Sequence, residues 1–235
     1  MPVAELKAGA RNLILENAPK LFFVSIIYVI IGAVISELSI RLPGTEPAFD
    51  QMFDSLMEGE QPDYGLFFDH LRPSGAALAL LLWLLGSVIH VGFMNYCLKK
   101  SRKQDADYKD IFDAFAFFVK IMLIQIITTV LIFLWSILFF IPGIVAYYRY
   151  RQAYYILLDN PNKGVINCIN ESKRLMHGNK INLFLLDLSF LGWHIIDFMT
   201  ILLIPSPFMF PIISIWLSPY IGLSRAAFYN HQTGT

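Results

Sequence analysis

The chain alternates long apolar runs with short polar segments, and its helical periodicity is interrupted at each junction. Six apolar runs stand out, at residues 21–40, 75–98, 119–141, 144–158, 182–204 and 207–229. A run of about 20 apolar residues is long enough to cross a bilayer core as a helix. The pattern therefore predicts an all-α, polytopic helical membrane protein of about six transmembrane helices, forming one membrane domain over residues 1–235. The third run ends at Ile141-Pro142-Gly143, which reads as the turn into the fourth. The fourth run is short: its fifteen residues, IVAYYRYRQAYYILL, would rise only about 22 Å as a helix, less than a core of about 30 Å. It must start deep in the membrane or line a hydrated cavity.

Amphipathic segments precede the first, third and fifth runs, at 3–18, 105–118 and 161–178. Leu13, Asn17, Leu21 and Phe22 match Leu175, Asn179, Leu183 and Phe184 at one constant offset. Arg151-Gln-Ala-Tyr-Tyr likewise resembles Arg225-Ala-Ala-Phe-Tyr at the ends of the fourth and sixth runs. The pattern fits three copies of an interfacial helix followed by a two-span hairpin.

Composition agrees with hydrocarbon as the solvent. The chain is 56% hydrophobic and 15% charged, with a mean hydropathy of +0.56, whereas soluble domains carry about a quarter charged residues. Net charge is zero but unevenly spread. Residues 41–73 hold Glu46, Asp50, Asp54, Glu58, Glu60, Asp63 and Asp69 against Arg41 and Arg72. Lysines and arginines gather instead in 99–118 and 159–181, so these segments and 1–20 are expected in the cytoplasm, with the acidic loop outside. That orientation predicts both termini inside. No cleavable leader pattern precedes the first run, and Cys97 and Cys168 fall near cytoplasmic ends, where thiols stay reduced.

Several residues carry the resemblance of the C-terminal two thirds to a known family. They are Ile141-Pro142-Gly143, YILLDNP at 155–161, SKRLMHGNK at 172–180, FLLDLSFLGW at 184–193, Pro219-Tyr220 and RAAFY at 225–229. In order and spacing they resemble a bacterial integral-membrane family known only as domain of unknown function 975. The resemblance implies a multi-pass protein of the bacterial plasma membrane and brings no chemistry with it. The first hundred residues match only in general character.

Charged and polar residues inside the apolar runs are the candidates for function, because each is costly in hydrocarbon without a partner. If the fifth run enters the membrane at Asn182, Asp187 lies about 7 Å deep and His194 about 18 Å deep. Arg225, on the returning sixth run, lies about 6 Å deep by the same rise. The matching depth makes Asp187–Arg225 the favoured intramembrane charge pair, with Arg149 and Arg151 as competing partners. His194 and Asp197 stand three residues apart on one face, and His90 lies at comparable depth; the three suit a metal site, while a simple His–Asp hydrogen bond needs only two.

The fourth run carries the richest set. Tyr147, Arg151, Tyr154 and Tyr155 form one helical stripe, and Arg149 points elsewhere. Arginine matches carboxylate or phosphate with two parallel hydrogen bonds. Arg149, Arg151, Tyr147, Tyr154 and Tyr155 are therefore the candidate ligand site, for a lipid-like anion. The alternative is internal packing against Asp187 and Asp197. KKSRKQ at 99–104 is expected only to fix orientation, and FDQMFDSLMEG in the outer loop has an apolar face for the outer leaflet or the bundle.

No Walker, dinucleotide-binding, zinc-protease or nucleophile-elbow motif occurs, nor a C-x-x-C pair or a soluble basic module for nucleic acid. The leading expectation is a non-enzymatic protein, without a cofactor, that binds or moves an amphiphile among membrane lipids. A second is an accessory, immunity or stress protein that meets a protein partner through the loop at 41–73. A third is an intramembrane metal-dependent enzyme using His90, His194 and Asp197.

Overall fold

The computed structural model describes residues 3–203 and 212–234, and among them every regular element is helical. The first helix, α1 (Val3–Arg41), is two helices joined at a kink, where Asn17 has φ −119° and ψ 16°. Pro19 supplies the cause: it has no N–H for the carbonyl four residues back, and its ring crowds that carbonyl. Asn17 Nδ2 donates to the Leu13 carbonyl at 3.1 Å, which meets one of the groups freed nearby. The amphipathic start thus bends away from the apolar remainder.

Two short helices, α2 (Glu46–Met57) and α3 (Gly65–His70), fill the acidic loop. The long α4 (Pro73–Ser101) returns across the bundle and begins on a proline, where a missing N–H costs nothing. Residues 105–118, expected as an amphipathic α-helix, instead form a 3₁₀ segment, Tyr108–Phe117. It is capped by Asp107 and Asp110, and its Ile111 carbonyl lies where a Cβ on Gly92 would stand. The tight approach to α4 explains both the glycine and the narrower helix. Lys99 fastens the two, donating to Asp110 at 2.7 Å and Asp113 at 3.2 Å.

The remaining elements are α5 (Phe118–Leu138), α6 (Phe140–Tyr150), α7 (Ala153–Asp159), α8 (Val165–Leu175), α9 (Lys180–Leu188), α10 (Leu191–Leu203) and α11 (Ile212–Thr233). The turn between the third and fourth runs is not at Pro142-Gly143, as expected, but at Phe139, whose backbone is extended (φ −160°, ψ 148°). Pro142 then sits in the first turn of α6, where its lost N–H is harmless. The end of the fifth run and the start of the sixth, residues 204–211, lie outside the described residues.

Among the described residues, four stretches are long and apolar enough to cross a membrane: Val3–Arg41, Pro73–Ser101, Tyr108–Leu138 and Lys180–Thr200. Their outer faces are bare. Phe133, Leu134, Ile137 and Leu138 on α5 are all more than half exposed, a surface suited to lipid and not to water. The main core joins α1, α4, α5, α6, α7, α8 and α11, and a smaller cluster around Leu6, Met176, Leu186 and Phe190 seats the start of α1 against α9 and α11. The offset noted between the chain's beginning and α9 has a geometric counterpart: Asn179 Nδ2 donates to the Leu175 carbonyl at 3.3 Å, as Asn17 does to Leu13. Leu21 and Leu183 are both buried.

Candidate functional site

The fourth apolar run is broken in its middle. Arg151 and Gln152 form a turn between α6 and α7, and a break in apolar surroundings leaves backbone groups to be satisfied. Ser172, fully buried on α8, does this from outside the run. Its hydroxyl donates to the Arg149 carbonyl at 2.9 Å and accepts from the Gln152 N–H at 3.2 Å.

The break opens onto a cavity of about 610 Å³ between α4, α5, α6–α7 and α9–α11. Tyr147, Arg151, Tyr154 and Tyr155 line it together, as do His90, His194 and Arg225. The turn preserves their common face although the helix does not continue through it. Arg149 is not on the wall. The rest of the lining mixes apolar carbons (Phe93, Ile132, Phe133, Leu183, Ile221) with the hydroxyls and amides of α5, chiefly Gln125, Thr128 and Thr129.

The polar side chains on this wall differ in how far they are satisfied. Tyr28 and His90 share a hydrogen bond at 3.0 Å between the tyrosine hydroxyl and Nδ1. Tyr154 donates to the Gln125 carbonyl oxygen. Arg225 is matched with Asp187: Nε donates to Oδ1 at 2.9 Å, and Nη2 lies 2.9 Å from the same oxygen. Arg151 has no such carboxylate. Its guanidinium stacks over the Tyr147 ring, 4.7 Å from the centroid, and makes no ion pair or hydrogen bond among the described residues. Stacking on an aromatic face attracts a cation but does not neutralise it. Packing against Asp187 and Asp197, the alternative use for Arg151, is not what the geometry shows: Asp187 is bonded to Arg225, and Asp197 accepts from Ser214 at 2.6 Å.

The three-ligand metal grouping needs correction. Among the described residues no three His, Cys, Asp or Glu side chains gather as a metal would require. His90 is turned to Tyr28, Asp197 to Ser214, and His194 is exposed on α10, so the shared face of His194 and Asp197 does not bring His90 to them.

A second polar cluster has no precedent in the sequence reading. At the ends of α4, α7 and α11, Arg102 grips Asp159 with both terminal nitrogens (2.6 and 2.9 Å) and donates from Nε to Asn230 Oδ1 at 2.9 Å. Tyr229 donates to Asp159 at 2.8 Å, Asn230 donates to Ser101 at 2.8 Å, and the Tyr229 ring stacks on Tyr155 of the cavity wall. The hydrogen bonds to Asp159 raise the Arg102 pKa against the opposing effect of desolvation. KKSRKQ is thus more than an orientation signal, since Lys99 and Arg102 are both committed to carboxylates. The partners lie 57 and 128 positions from Arg102, beyond any spacing rule, and only their places at the ends of apolar runs hinted at a common level.

No curated protein and no solved structure matches the chain. A family model does match it, over residues 137–234, the stretch that holds the α6–α7 break, Asp187 and Arg225. The model is that of the family described as Protein of unknown function (DUF975), and it is this stretch of the chain that is similar to it.

Proposed function

We propose that the protein is a non-enzymatic, multi-pass protein of the bacterial plasma membrane that holds or moves an anionic amphiphile in the cavity at the α6–α7 break. The observation that carries this reading is Arg151, a guanidinium with no carboxylate partner, on the wall of a cavity of about 610 Å³. An uncompensated charge at membrane depth is expensive, and such residues mark ligand or ion paths. A helix interrupted beside a central cavity is a recurring feature of sites that hold charged cargo in a membrane, and here the interruption places Arg151 on the cavity wall. The hydrocarbon-rich side of the wall suits the apolar part of the same molecule.

In the topology that goes with this reading, α6–α7 and α11 complete six crossings, both termini are cytoplasmic, and the acidic loop at 41–73 lies outside. A cysteine introduced at Glu58 should then react with an impermeant maleimide on intact cells, while one at Lys103 should react only after lysis. Labelling in the reverse order would invert the topology.

The test of function is native mass spectrometry of the purified protein beside Arg151→Leu and Arg149→Leu. Wild type and Arg149→Leu should carry a bound anionic amphiphile, and folded Arg151→Leu should have lost it. Equal spectra for all three would remove the central-site reading. One observation favours the partner-binding alternative: Phe53, Leu56 and Met57 of α2 are exposed on an acidic loop. Deleting residues 46–69 should leave bound amphiphile unchanged under the central-site reading and abolish function under the other.

A further inference from the structure

The cavity has an open side, and that side decides how its occupant arrives, an inference that rests on the reading just given. Five of the residues that line it are also exposed at the surface: Thr129, Phe133 and Ser136 on α5, Tyr147 on α6 and His194 on α10. None of the lining residues from α1, α4, α7, α9 or α11 is exposed. The opening therefore lies between the α5–α6 hairpin and α10. Its two lips belong to separate parts of the bundle, since α5 packs mainly on α6 and α4, and α10 on α11. Arg151 is only partly buried, so the cavity reaches it.

Depth sets what the opening faces. Lys120 is the only charged residue of α5, and its ammonium donates to the carbonyls of Pro161 at 2.5 Å and Lys163 at 3.3 Å, in the polar loop after α7. Along the helix from Lys120, Thr129 lies about 14 Å and Ser136 about 24 Å further on, inside a core of about 30 Å. Both lips continue as bare hydrocarbon: Leu134 and Ile137 on α5 and Ile195 and Phe198 on α10 are all more than half exposed. Ser136, on the rim, tolerates that setting because its hydroxyl donates to the Ile132 carbonyl at 2.8 Å. The opening thus faces acyl chains and not water. A space of about 610 Å³ suits a drug-sized molecule and is too small to enclose a headgroup together with two full acyl chains. We propose that an anionic lipid enters sideways from the bilayer between α5 and α10, headgroup first toward Arg151, and leaves its chains outside along the two lips. The site then reads the headgroup and is indifferent to the far ends of the chains.

Two measurements in phosphatidylcholine nanodiscs test the route and the occupant separately. Nitroxide labels on Ser136→Cys, at the rim, and on Leu134→Cys, on the outer face, should both collide more with oxygen, which concentrates in hydrocarbon, than with a water-soluble nickel chelate. A label on Lys103→Cys should show the reverse. If Ser136→Cys behaves like Lys103→Cys, the opening is wet and the route is overturned, while the anion site stands. For the occupant, phosphatidylglycerol with a diazirine midway along one acyl chain is added, and in a parallel sample phosphatidylcholine with the same chain. Photolysis should place phosphatidylglycerol adducts on the lips, near Phe133, Ile137, Ile195 and Phe198, in excess over phosphatidylcholine. Arg151→Gln should lose that excess and keep the oxygen-rich signal at the rim. Adducts on Phe93, Met94 or Ile221 instead would mean that the chain is drawn inside, which overturns the chains-out arrangement. Equal labelling by the two lipids in wild type, with the rim still in hydrocarbon, would remove the anion-site reading itself and this proposal with it.

Discussion

At the residue scale, Asp187 and Arg225 set the terms for the other charges in the bundle. Each is mostly shielded, and together they are neutral at a depth where neither could stand alone. Removing one partner strands the other, at a cost of about 3–5 kcal/mol. Asp187→Asn and Arg225→Gln should therefore each lower the melting temperature and the yield of monodisperse protein, and a double mutant should recover part of the loss. Normal behaviour of both single mutants would show that the pair does not hold the fold. Depth counting from the ends of the apolar runs made this pairing legible, because two helices joined as a hairpin share one scale. The same counting placed His90, His194 and Asp197 at similar depth, yet depth leaves rotation about the helix axis open. Tyr28 and Ser214, whose hydroxyls decide where His90 and Asp197 point, carry no signal of that in the sequence.

At the scale of the element, the break between α6 and α7 is the feature that sequence periodicity handled least well. Periodicity sees Tyr147, Arg151, Tyr154 and Tyr155 as one stripe, and all four do reach the cavity, but the stripe gives no sign of a turn at Arg151-Gln152. The cause lies twenty residues on, in the hydroxyl of Ser172. Ser172→Ala should cost about 1–3 kcal/mol by leaving a buried N–H and carbonyl unmet. Amide exchange at Gln152 should quicken selectively, and unchanged exchange there would mean that the turn holds itself. The bend in α1, by contrast, has a local cause, Pro19.

At the scale of the whole molecule, the ends of α4, α7 and α11 are tied by one bidentate ion pair and its satellites. Arg102 and Asp159 are each about one-fifth exposed, so the link is weaker than a fully buried one yet better placed than a surface pair. Asp159→Asn should lower the melting temperature, and in a double-mutant cycle with Arg102→Gln the two losses should be clearly less than additive. Additive losses would mean that the two side chains act separately. The helical class and the apolar runs were legible because both follow from periodicity and hydropathy. The tie was not, since it depends on which ends meet once the bundle has closed.

Only 17% of the most apolar window of Tyr108–Leu138 is buried against the rest of the protein, and this stretch also supplies Gln125, Thr128 and Thr129 to the cavity wall. Its helical part, α5, is 21 residues long, about 32 Å, close to the thickness of an average hydrocarbon core. A hydrophobic helix longer than the local core is accommodated in part by tilting, within what its packing allows. Ligand binding in vesicles of shorter acyl chains should therefore change if α5 leans and carries its part of the wall with it; binding that stays the same across chain lengths would show that α5 is held by its contacts with α4, α6 and α8.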